Sequence, residues 1–168
     1  MMSDIYLIDT NVLFTAAKIY YPFDVVPGFW DALVKYAQTE NIQSVDWVNS
    51  EIMKMEDDIS VWVDQNLNFV FNSTEDEDVY LQYREIMNWV NDQQFLDYAK
   101  KDFADGADGW LIAYASVNNC IIVTHEVLNL EIQKKVPIPN VCVEFGVNYI
   151  DTFQMLRRLY VELILNEK

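Results

Sequence analysis

The sequence predicts an α/β domain with a short, mainly parallel sheet, and three observations carry that expectation. Ile5-Tyr6-Leu7-Ile8 and Cys120-Ile121-Ile122-Val123 are nearly continuous apolar runs, the pattern of strands buried on both faces rather than of half-exposed ones. Between them lie helical stripes, such as Phe29, Trp30, Leu33, Val34 and Ala37. Strand, helix and strand alternate at both ends of the chain, as in βαβ units. A length of 168 residues suits one domain spanning the whole chain, with a helical insertion at about residues 58–104.

The first strand runs from Asp4 to Ile8 and stops at Asp9-Thr10-Asn11, after which Val12-Leu13-Phe14 and Ala16-Ala17 read as a helix. Pro22 interrupts that pattern, and Pro27 can open a second helix. A strand at Ile42 to Val45 leads into a helix from near Asp46, on which Val48, Ile52, Met55 and Ile59 form a single buried stripe. The segment from Ser60 to Phe71 continues with Val61, Trp62, Leu67 and Phe69. Ser73 or Thr74 is expected to cap the next helix, with acids in its first turn. A further helix is expected from about Gln93 to Phe103. Asp105-Gly106-Ala107-Asp108-Gly109 then reads as a cap, followed by a helix from Trp110 to Ala115, a turn at Asn118-Asn119 and a buried strand ending at Thr124. The loop expected from His125 to Asn140 holds Pro137 and Pro139. A short element around Val141 to Val147 follows, and Asp151 caps a final helix expected to reach Leu165.

Charge and composition exclude several function classes. With 27 acids against 11 bases, the net charge of −16 repels nucleic acid on average, which argues against an ordinary DNA-binding module. A bound cation would reverse that field locally, so metal-dependent nucleic-acid chemistry stays open, as does a basic protein partner. Cys120 and Cys142 are the only two cysteines; beside β-branched neighbours they read as buried small hydrophobes in a reducing compartment. No basic segment precedes an apolar run at the N-terminus, and no apolar stretch approaches the ~20 residues of a membrane span. The expectation is a soluble, cytoplasmic protein.

Ligands of open parallel sheets bind at the carboxyl ends of the strands. Asp9 and Glu126 stand there, Asp105 and Asp108 begin the helix before the second strand, and Glu51 lies on the third helix. Carboxylates drawn from distant segments repel unless a cation sits among them, and an all-oxygen set suits Mg²⁺ or Mn²⁺. Each acid also has a plainer reading. Asp9 can cap the helix after it, and Asp105 with Asp108 matches a capping box, a role that suits Asp105 better than ligation. Glu51 falls roughly 70° from the centre of the buried stripe, at the edge of the helix face. Glu126 can be an ordinary loop acid. His125, the single histidine, reads as a packed side chain, since neither cysteine stands at zinc-ligand spacing from it. The Trp and Tyr residues fall mostly on helix stripes and read as core.

Ile8-Asp9-Thr10-Asn11 after an apolar strand, a helical acid at Glu51, the segment Ala107-Asp108-x-Trp-Leu-Ile-Ala-x-Ala, and an acid after Val123-Thr124 together resemble a PIN domain. Gly28-Phe29-Trp30, Val123-Thr124-His125-Glu126 and Ile138-Pro139-Asn140-Val141-Cys142 resemble more narrowly the bacterial PIN-like DUF4411 type. The resemblance covers residues 5 to about 156. It implies a three-layer α/β/α fold and a Mg²⁺- or Mn²⁺-dependent ribonuclease, often the toxin of a toxin–antitoxin pair. It also implies RNA as substrate, an antitoxin protein as partner, and a homodimer. By position it makes Asp9 and Asp108 the central metal ligands, with Glu51 completing a first site and Glu126 contributing to a second. Glu126 departs from the Asp or Asn that PIN domains usually carry there. Thr10, Asn11 and Thr124 would position water or phosphate, and Lys134 and Lys135 would meet RNA phosphates.

Two other classes compete. Haloacid-dehalogenase-like phosphatases need a second Asp two residues after the first, where this chain has Asn11. A catalytically silent PIN-like module that binds protein or RNA accommodates both the net charge and the Asp-to-Glu departure.

Overall fold

A computed structural model describes residues 4–165 of the chain. Its centre is a five-stranded sheet, every pair parallel, in the order β3-β2-β1-β4-β5. The strands are β1 (Tyr6–Ile8), β2 (Ile42–Val45), β3 (Phe71–Asn72), β4 (Ile121–Val123) and β5 (Tyr149–Ile150). All residues of β1 and β4 are buried, as their unbroken apolar runs require. Parallel strands need crossovers, and the helices that supply them cover both faces to give three layers. These helices are α1 (Thr10–Thr15), α2 (Pro27–Gln38), α3 (Asp46–Met53), α4 (Asp58–Asn66), α5 (Glu77–Asp92), α6 (Asp97–Asp105), α7 (Asp108–Asn118), α8 (Ile138–Phe145) and α9 (Thr152–Arg158). Among the described residues, no helix is long and apolar enough to cross a membrane. Both cysteines are buried and unpaired.

The chain builds the sheet outward from β1 through β2 to β3, then returns to the other side of β1 for β4 and β5. The direction therefore reverses between β1 and β4. Crossovers on either side of such a reversal diverge to opposite faces and leave a crevice at the carboxyl ends of the two strands.

Several element boundaries differ from the sequence expectation, each for a local reason. The stripe read as one helix is broken: α3 ends at Met53, Glu56 takes a positive φ of 50°, and Ile59 belongs to α4. Asp57 starts α4 through a capping box with Ser60, while Met55 is left exposed between the two helices. The cap of α5 is Asp76, which accepts from the N–H groups of Asp78 and Val79; Thr74 is instead buried on Asp46. The helix placed at 93–103 begins at Asp97 and extends to Asp105. Asp105 is thus the last residue of α6 and caps nothing, paired instead with exposed Lys101 one turn earlier. The segment 58–104 contains a short strand, β3, as well as helices. The loop after β4 closes at Pro137, with Pro139 inside the first turn of α8, where its missing N–H costs no hydrogen bond. Asp151 caps α9 with Gln154 as expected, but that helix stops at Arg158 rather than Leu165.

An aromatic stack locks α3, α5 and α7 together. The Trp110 ring stacks on both Tyr83 and Trp47, with centroids 3.8 Å and 5.2 Å away and ring planes nearly parallel to each. Gly109 makes the stack possible, because a Cβ there would stand 2.8 Å from Tyr83 Cε2 and 3.1 Å from Phe103 Cε1. Tyr83 cannot easily retreat, since its hydroxyl also donates to the Ala104 carbonyl. Gly109→Ala is therefore expected to destabilise the fold by about 1–3 kcal/mol despite alanine's better helix propensity. Urea denaturation of the two proteins checks this.

Candidate metal centre

Asp9 follows β1, and the register that sets Ile8 opposite Val123 brings it beside Thr124 at the end of β4. The Asp9 N–H donates to the Val123 carbonyl at 3.1 Å, and the Thr124 hydroxyl donates to Asp9 Oδ2 at 3.2 Å. Asp9 is 1% exposed. It occupies the N-cap position of α1 without a well-formed side-chain cap bond, and its carboxylate faces the other acids of the crevice. Burial, then the charges of Glu126 and Glu51, push its pKa up to about 7, against the lowering effects of Thr124 and the Asn11 N–H.

Glu51 projects from α3 as a bracket. Its Oε2 accepts from the Thr10 hydroxyl at 2.6 Å and its Oε1 from the Ala107 N–H at 2.8 Å. One carboxylate thus joins the start of α1 to the start of α7. Gly106 leaves space for it, since a Cβ there would lie 3.3 Å from Glu51 Oε1. The sequence reads Asp105-Gly106 as part of a helix cap, and nothing in it marks Gly106 as the residue that admits Glu51.

Asp108 opens α7 without capping it. Its pKa is held well above the carboxylate range by burial first, then by Asp9, Glu126 and Glu51, with Lys135 opposing. Among the described residues, no donor hydrogen-bonds its carboxylate.

Glu126 closes the group from the β4 side. Its N–H donates to Thr124 Oγ1 at 3.2 Å, its Oε2 accepts from the Ile138 N–H at 2.8 Å, and its Oε1 pairs with Lys135. Lys134 and Lys135 border a cavity of about 250 Å³ together with Asp102 and Asp108. A cavity of about 780 Å³ lies between α2 and residues 160–165 and contains none of these acids.

The remaining candidates lie apart. Asn11 is exposed on the first turn of α1. Asp105 is at the far end of its ion pair with Lys101. His125 packs against Tyr20 and Phe153, with Nε2 3.0 Å from the Thr152 hydroxyl; burial lowers its pKa, partly opposed by Asp151.

Residues 6–163 match the model of the family described as Domain of unknown function (DUF4411). The chain belongs to the DUF4411 family. No curated protein matches it.

The donor set of this DUF4411 chain fits a hard cation only in part. Asp9, buried, and Asp108, partly exposed, offer mutually repelling carboxylate oxygens that are underused, as suits an ion that keeps several waters. Among the described residues, however, no three His, Cys, Asp or Glu side chains stand together as a ligand group. Glu51 and Glu126 both have their oxygens engaged by the protein itself.

An acid whose pKa rises on folding binds its proton more tightly when folded, so ionising it destabilises the folded state. For Asp9 that penalty is absent below its ordinary value of 3.8 and complete above about 7. In metal-free buffer, Asp9→Asn should match the wild type near pH 4 and become progressively the more stable protein up to pH 8. Thermal unfolding across that range in chelator measures the difference.

Proposed function

We propose that this protein is a Mg²⁺- or Mn²⁺-dependent ribonuclease, cytoplasmic, acting as the toxin of a toxin–antitoxin pair. The observation that carries the reading is Asp108: a partly exposed carboxylate that accepts no hydrogen bond among the described residues, repelled by three other acids, beside fully buried Asp9 at the reversal point of the sheet. An arrangement of this kind is unfavourable in a protein that binds no cation there. The PIN resemblance of the same positions supports the same assignment.

Asp9 and Asp108 would hold the ion. Bound there, it would supply a lowered water pKa and polarisation of the scissile phosphate. The chain's own groups do the rest. Glu51 fixes Thr10 and the Ala107 N–H, and so the approach of α7 to β1. Thr124 orients Asp9 through its hydroxyl. Lys134, exposed at the cavity mouth, and Lys135 offer positive charge to RNA phosphates on an otherwise acidic surface. An antitoxin protein and a second copy of the chain are the partners this reading expects.

One observation favours the silent-module alternative. Lys135 already neutralises Glu126 in the absence of metal, as a counter-ion would in a purely structural cluster.

Mn²⁺ at roughly a hundredfold excess over its Kd is expected to raise the wild-type Tm by about 5 °C or more. Asp9→Asn and Asp108→Asn should lose that rise and the cleavage of mixed single-stranded RNA in Mn²⁺. A wild type that neither responds to the metal nor cleaves RNA would overturn the enzymatic reading.

A further inference from the structure

The acid group contains a cation of its own. The Lys135 ammonium pairs with Glu126 Oε1, and its charge acts on both Asp108 and Asp9. Chance pairing of an exposed lysine would not need a fixed backbone, yet this loop is fastened on both sides of Lys135. Asn140, buried at 7%, donates to the Asn129 carbonyl at 2.7 Å and accepts from the Asn129 N–H at 3.0 Å. The Leu96 N–H donates to the Gln133 carbonyl at 2.9 Å, tying the segment to the start of α6. Glu126 is fastened in turn by the Ile138 N–H on its other oxygen. The backbone that carries Lys135 and the Glu126 carboxylate are therefore both held in place, so that only the lysine side chain is left to order when they meet.

The second position that a four-acid set would offer a metal is the one adjoining Glu126 and Asp108. In this chain Glu126 has no oxygen left free of a protein donor, and a positive group already stands beside Asp108. We propose that Lys135 is the resident second cation of the centre, so that the protein takes one divalent ion, on Asp9 and Asp108, where the fourth acid would otherwise support two. The inference rests on the metal-dependent reading of the same site and goes beyond it in assigning stoichiometry and the role of Lys135. Charge balance is compatible: one divalent ion and one ammonium offset three of the four carboxylate charges, and two divalent ions would offset all four once the lysine is removed. The longer Glu126 side chain also fits, because it reaches the ammonium and the Ile138 N–H together.

Mn²⁺ stoichiometry tests this on the full chain, by calorimetry and by loss of the free-ion electron paramagnetic resonance signal. Wild type is expected to bind one ion per chain. Lys135→Met, at a half-exposed position where an unbranched apolar chain can replace the lysine stem, should bind two. The double variant Lys135→Met/Glu126→Gln should return to one, and Lys135→Arg should remain at one because it restores the charge. Circular dichroism confirms that each variant is folded. Two ions on the wild type, or one on folded Lys135→Met, overturns the inference and leaves the nuclease reading standing. No ion on the wild type overturns the nuclease reading itself, and this inference with it.

Discussion

The arrangement depends on the contact between Asp9 and the end of β4. Parallel pairing of β1 with β4 places a buried carboxylate at the reversal point of the sheet, where the Thr124 hydroxyl is its one side-chain donor among the described residues. A carboxylate at 1% exposure is costly unless its charge is balanced. The surrounding elements respond to that cost. Thr124 serves Asp9 and is itself bonded by the Glu126 N–H, which anchors the start of the loop carrying Lys134 and Lys135.

The other acids are divided by what they do for the frame. Glu51 works as a structural bracket, using both oxygens to hold α1 and α7 in register across the crevice, and the Trp47–Trp110–Tyr83 stack fixes α3, which carries Glu51, against α7. Asp108 receives no such partner and remains available. The stack has its own cost: the buried Trp110 Nε1–H has no hydrogen-bond partner among the described residues, a penalty on the order of 1–3 kcal/mol. Face-to-face packing of the three rings in this position evidently offsets it.

The large negative charge acquires a local meaning in this frame. Most of the 27 acids lie outside the crevice, where solvent screens them. The few inside it interact through a less polar medium, and their charges add to burial in raising the proton affinity of Asp9 and Asp108. Attraction for a polyanion would therefore be confined to the small region where cations gather, the site itself and the lysines beside it.

How much of this was legible depends on the range of the interaction involved. The sequence by itself determined the fold class and the placement of Asp9 and Glu126 at strand ends, because buried parallel strands announce themselves as unbroken apolar runs. It also determined the cap at Asp151, a contact within one turn of helix. Caps elsewhere were misassigned where several acids or hydroxyls competed, as at Ser73 to Asp76, since local chemistry favoured each of them. The break after Met53 went unseen because Val48, Ile52 and Ile59 remain buried on either side of it. Only the tertiary structure decided that Glu51 is a bracket, that Asp105 ends a helix instead of starting one, and that Lys135 meets Glu126. Those outcomes turn on contacts between segments up to 56 residues apart, as between Glu51 and Ala107, and no periodicity in a single segment encodes which donor will arrive from another.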